Sequence, residues 1–229
     1  MEYPHNRPYT ADDLVRIITL LRDPVNGCPW DKVQTHTSIR MNFLEEAYEA
    51  VDALDLDDPV LMCEELGDVL MQVAFHTCME QETGRFTWEQ VCDGVCQKLI
   101  ERHPNIFGTQ PGYEGITDWD ALKNKEKGRR TLADDLESVP RAMPALMRAA
   151  KLQKRAVRHG AALQGADAAA LADAAENLQT AQPASAQAEQ AVGELLFAAA
   201  NLARQAGVDP EQALQKANEA FCTAAGPVA

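Results

Sequence analysis

Along most of the chain, apolar residues recur every three or four positions, the period of an α-helix rather than of a strand. Leu14, Ile17, Ile18 and Leu21 make the stripe of a first helix, with Thr10 as N-cap and Asp23-Pro24 ending it. A loop, Asn26-Gly27-Cys28-Pro29-Trp30-Asp31-Lys32, follows. A second helix is predicted from about Thr37 to Leu54, with Phe43, Ala47, Val51 and Leu54 turned inward. Asp58-Pro59 reads as the cap and first-turn proline of a third, which runs to Gly84. Thr87-Trp88-Glu89-Gln90 is a capping-box pattern opening a fourth, which buries Val91, Val95 and Leu99 and closes at His103-Pro104. A fifth, short helix spans Trp119 to Lys127. The fold class is therefore all-α, a helical bundle.

After a linker containing Gly128, Pro140 and Pro144, alanine dominates and aromatic residues nearly vanish. This half echoes the first: Gly193-Glu194-Leu195-Leu196 resembles Gly67-Asp68-Val69-Leu70, and Pro210-Glu211-Gln212-Ala213-Leu214 resembles Trp88-Glu89-Gln90-Val91-Cys92. In that register Ala191 stands opposite Glu65, Ala220 opposite Lys98 and Ala224 opposite Arg102. The expected organisation is a first domain over 10–130, a linker over 131–150, and a degenerate helical repeat over 151–229 that keeps its packing and loses its charges.

Composition narrows the partners. With 46% hydrophobic and 24% charged residues the chain reads as globular. A formal charge of −14 disfavours a nucleic-acid polymer, which is gripped by a net basic surface. No run approaches the roughly 18 uninterrupted apolar residues of a membrane span. The six cysteines form no C-x-x-C pair, which with the absence of a signal-like start points to reduced, buried thiols in a cytoplasmic protein.

The chemistry lies between residues 41 and 84, where twelve Asp and Glu occur without one Lys or Arg. A solvated helix face usually interleaves both signs, because opposite charges three or four apart stabilise it. Here Glu46 and Glu49 share a face, Glu45 stacks beside Glu49, and Glu65, Asp68, Gln72 and His76 line one narrow stripe. The rest of that third helix is apolar, so it is expected to be buried with its acids facing another buried surface. Two carboxylates about 4 Å apart repel by about 4 kcal/mol at an effective dielectric near 20, so such a set awaits a cation. All-oxygen ligands suit Mg²⁺, with Mn²⁺ as the alternative, while a di-iron site would need Glu-x-x-His pairs that are missing here.

E-E-x-x-E (Glu45, Glu46, Glu49) followed by E-x-x-D (Glu65 to Asp68) resembles the signature of the all-α nucleoside triphosphate pyrophosphohydrolases. Gly27-Cys28-Pro29-Trp30-Asp31, Glu65-Leu66-Gly67-Asp68 and Arg102-His103-Pro104 narrow the resemblance to the MazG family. It covers residues 10–155 densely and 190–221 more weakly. The resemblance implies a Mg²⁺-dependent dimer of helical bundles that converts a nucleoside triphosphate to the monophosphate and pyrophosphate. It assigns Glu46, Glu49, Glu65 and Asp68 as metal ligands, and leaves Glu45 as a ligand of a second ion or as general base. Lys98, Arg102, Trp119 and Lys123 match positions that contact nucleotide. Trp119 or Trp30 would stack on the base and Asp31 or Lys32 meet its polar edge, although Trp30 could equally be core.

The second repeat departs from the pattern, offering only Asp173, Glu176, Glu189 and Glu194 as scattered acids. Any catalysis is accordingly expected from the first repeat, in a role such as clearing non-standard or surplus nucleotides. The rivals are a catalytically silent dimeric adaptor, and a related hydrolase with one preferred substrate such as dUTP, dCTP or phosphoribosyl-ATP.

Overall fold

A computed structural model describes residues 7–108 and 119–226. The chain forms two compact units, Met1–Ile116 and Thr117–Ala229. All regular structure among the described residues is helical. No helix among them is long and apolar enough to cross a membrane.

The first unit contains α1 (Ala11–Leu21), α2 (Arg40–Asp55), α3 (Pro59–Glu82) and α4 (Trp88–Arg102). Local chemistry sets their starts. Thr10 and Asp13 form a capping box on α1, Thr87 and Gln90 form one on α4, and Asp58 accepts hydrogen bonds from Val60 and Leu61 ahead of Pro59. α2 begins later than its predicted Thr37, because Thr35 and Ser38 hydrogen-bond each other's backbone in a turn of their own. Between α2 and α3 the chain turns at Asp57, whose φ of 53° lies in the left-handed region that aspartate tolerates. This short connection makes the two helices an antiparallel hairpin.

The C-terminal half of α3 is the centre of the unit. Ala74, Phe75, Cys78 and Met79 pack with Ile18, Ile39 and Trp88, and Leu14, Val15, Met71, Val73 and Cys92 close around them. α2 approaches α3 closely through Ala50 and Ala53, the buried residues of that helix. Several expectations fail here. Val51 and Leu54 are about half exposed, because the inward line of α2 runs through the alanines one position away. Val95 and Leu99 are exposed as well, since α4 is buried at Trp88 but not along its later turns. The first half of α3 is not enclosed either: Val60, Leu66 and Leu70 are exposed. All six cysteines are free thiols, but of these only Cys78 is buried.

The second unit contains α5 (Trp119–Glu126), α6 (Leu132–Glu137), α7 (Ala145–Arg158), α8 (Ala168–Thr180), α9 (Ala186–Gln205) and α10 (Pro210–Ala225). Its core is built from small side chains: Ala166, Ala174, Ala191, Ala198 and Ala200 are almost fully buried, and alanine lets helices α8 and α9 approach closely. Polar groups inside it are tied to the backbone. Gln153 of α7 donates to the Phe197 carbonyl at 2.8 Å, and Asn201 of α9 donates to the Ala166 carbonyl at 2.6 Å.

Candidate metal centre

The α2–α3 hairpin explains why the acids meet. Glu49 and Glu65 lie equally far in sequence either side of Asp57, and so do Glu46 and Asp68. In an antiparallel hairpin, positions equidistant from the turn face each other. Glu46, Glu49 and Glu65 each bring a carboxylate oxygen to within 4.8 Å of the others. Asp68 is near enough that its charge bears on both Glu46 and Glu65.

The electrostatics are those of a site short of positive charge. Burial pushes the Glu46 carboxyl above its ordinary value, a hydrogen bond from Gln72 opposes this, and the charges of Asp68, Glu49 and Glu45 push it higher. Glu65 is raised by burial and then by Asp68, Glu64 and Glu46. Among the described residues, the charges that bear on these two groups are those of acids. A hard divalent ion fits this donor set. Mg²⁺ takes hard oxygen ligands, and these carboxylates are the residues that would hold it.

A polar line continues from the carboxylates along α3. Gln72 donates through Nε2 to Glu46 Oε1 at 3.3 Å. One turn further, His76 Nδ1 and His36 Nδ1 share a hydrogen bond of 2.7 Å, and His36 Nε2 reaches Glu80 Oε1 at 2.6 Å. Glu80 is buried and also holds Arg85 at 2.6 Å. Burial, and then the charge of His36, lower the pKa of His76. The line thus favours a neutral His76 ring oriented by His36 and Glu80.

The loop before α2 carries three of the sequence-derived candidates, Trp30, Asp31 and Lys32, and Arg22 pins it. This buried guanidinium grips the Glu82 carboxylate through Nε at 2.5 Å and Nη2 at 2.8 Å. Its Nη1 donates to the Asp31 and Gln34 carbonyls at 2.7 and 3.2 Å. Gly27 is required in the same loop, since a Cβ there would meet the carbonyl oxygens of Leu21 and Asp23 at 2.4 Å. Trp30 is 56% exposed, with its ring edge-on to Phe75, so it is a surface aromatic rather than core. Lys32 sits half-buried on a short 3₁₀ turn, Asp31–Val33.

The other candidates are more scattered. Glu45 is exposed beside Glu46, and Lys98 and Arg102 lie one turn apart on α4. Lys123 is exposed on α5 in the second unit, and the side chain of Trp119, at the start of that helix, lies outside the described residues. Sequence reasoning missed the roles of Arg22, Gln72 and His36. For Gln72 a signal existed, an amide on the acidic stripe of a helix that is otherwise apolar; Arg22 and His36 act through partners distant in sequence.

Among the described residues the first unit is all-helical, and its α2–α3 hairpin brings carboxylates from two helices together. Residues 34–107, which span the hairpin and α4, match the MazG nucleotide pyrophosphohydrolase domain. The chain is 41% identical over 219 residues to the nucleoside triphosphate pyrophosphohydrolase of Escherichia coli strain K12, covering 92% of this chain and 83% of that protein. It is 39% identical over 212 residues to the nucleoside triphosphate pyrophosphohydrolase/pyrophosphatase MazG of Thermotoga maritima, covering 92% and 82%. A nucleoside triphosphate pyrophosphohydrolase of Mycobacterium tuberculosis is 34% identical over 154 residues, covering 66% and 46%. The chain belongs to the MazG family.

Proposed function

We propose that this protein is a Mg²⁺-dependent nucleoside triphosphate pyrophosphohydrolase, releasing a nucleoside monophosphate and pyrophosphate. The observation that carries this reading is the convergence of Glu46, Glu49 and Glu65 within 4.8 Å, with Asp68 beside them. Relatives named for this activity, aligned over most of the chain, support it. Glu46, Glu49, Glu65 and Asp68 would hold the ion, which when bound offsets phosphate charge, polarises the phosphorus and acidifies water. Glu45 takes the proton of the attacking water. Lys98 and Arg102 bind phosphate oxygens, and exposed Trp30 offers a stacking face to the base, with Lys32 at its polar edge.

The remaining parts of the reading have their own support. Exposed apolar residues on α2, α3 and α4, among them Val51, Leu66, Leu70, Val95 and Leu99, favour a homodimer that covers them. In the second unit Ala191 is buried where the repeat register sets a ligand, which favours chemistry in the first repeat alone. A cytoplasmic role in clearing surplus or non-standard nucleotides suits a base site built on one exposed tryptophan. The test is a panel of ribo- and deoxynucleoside triphosphates with pyrophosphate detection, with and without chelator. Pyrophosphate release that needs Mg²⁺ and spans several bases is expected. Binding of triphosphates without any turnover in Mg²⁺ would favour the silent adaptor instead.

A further inference from the structure

Gln72 makes a choice that its own surroundings do not reward. The residue is 7% exposed, and its Nε2 donates to Glu46 Oε1 at 3.3 Å. Its amide oxygen is buried and has no hydrogen-bond partner among the described residues. Leaving such an acceptor unpaired costs about 1–3 kcal/mol. The opposite amide orientation would set oxygen against the Glu46 carboxylate, acceptor against acceptor. The orientation is therefore dictated by Glu46, not by the interior around Gln72. The acids around Glu46 all repel it, and the Gln72 N–H is the attractive contact that keeps its carboxylate directed at α3.

We infer that Gln72 is a positioning residue, holding the Glu46 carboxylate at the meeting point of the acids so that the site is formed before a divalent cation arrives. The inference rests on the metal-dependent reading of this site. Groups that orient a metal ligand from behind typically change affinity by about 10–100-fold when removed. Gln153 shows the same unpaired amide oxygen in the second unit, so the case for Gln72 rests on its bond to Glu46 and its place beside the acids.

The test separates positioning from packing. Gln72→Met keeps an unbranched side chain of similar volume and removes both amide atoms, with Gln72→Leu as a second variant should the first fail to fold. Mn²⁺ binding to the full-length, nucleotide-free protein is followed by electron paramagnetic resonance, and the melting temperature is taken in chelator. The expected result is a dissociation constant raised by about tenfold or more, with a metal-free melting temperature that does not fall, because the unpaired oxygen has gone. Mn²⁺ affinity equal to that of the unaltered protein would overturn the inference, whatever the melting temperature does. Failure of the unaltered protein to bind Mn²⁺ would remove the metal reading itself, and this inference with it.

Discussion

Exchanging Glu49 for alanine is expected to lower Mg²⁺-dependent pyrophosphate release by about 10²–10³-fold, the range found when one preorganised electrostatic group is taken from an active site. The same substitution should leave the metal-free protein at least as stable as before. Glu49 is exposed and adds to the charges that push Glu46 up, so deleting it relieves repulsion and opens no cavity. Loss of activity without loss of stability is the signature of a ligand, whereas a structural residue would lose both. Asp52→Ala, which removes another exposed acid of α2 outside the cluster, should keep activity near that of the unaltered protein. Steady-state rates across a Mg²⁺ series, with thermal melts in chelator, read both effects. Undiminished activity in Glu49→Ala would remove this residue from the site.

The largest effect on stability is expected in the second unit. Asp135 is fully buried and gathers two guanidinium groups and an imidazole. Arg155 Nη1 bonds its Oδ1 at 2.9 Å and its carbonyl at 2.6 Å, Arg158 Nη2 bonds Oδ2 at 2.6 Å, and His159 Nε2 lies 3.1 Å from Oδ2. Arg155 also donates to the Ser138 hydroxyl. Burial alone would raise the Asp135 carboxyl, but hydrogen bonds from Arg158, Asn124 and His159 and the charge of Arg155 outweigh it and hold the group below its ordinary value. Asp135→Ala takes the buried carboxylate away from Arg155, Arg158 and His159, and breaking such a pair from one side costs about 3–5 kcal/mol. A group with a lowered folded pKa stabilises above its unfolded value and loses that contribution as pH falls through the folded one. Urea denaturation of the full chain should thus show the deficit at neutral pH, and the difference between the two proteins should shrink in acid. Equal midpoints at pH 7 would mean that this network contributes nothing to folding.

What could be read from the residues was mostly local. Thr10, Asp58 and Thr87 cap helices through bonds that reach only two or three positions along the chain, so their meaning is visible in a short window. The acidic cluster was legible for the same reason: helical spacing gathers Glu46 with Glu49 and Glu65 with Asp68, and a tight turn folds one pair onto the other. An apolar stripe says less. Val51, Leu54, Val95 and Leu99 repeat with the helix, yet the stripe cannot say whether this chain or another covers it, and within this chain they are exposed. Alanine carries little weight in a hydrophobic pattern, so Ala50 and Ala53 went unnoticed as the seam of the hairpin. Arg22 was invisible because its partner Glu82 comes into reach only when α1 and α3 pack. The tandem repeat rests on sequence echoes alone.

Anomalous diffraction from crystals grown with Mn²⁺ and a non-hydrolysable nucleoside triphosphate tests the account at its root. The account predicts a peak about 2.1 Å from oxygens of Glu46, Glu49, Glu65 and Asp68, with phosphate oxygens completing the shell. Nucleotide bound with the metal held elsewhere, and these four side chains turned to solvent, would contradict it.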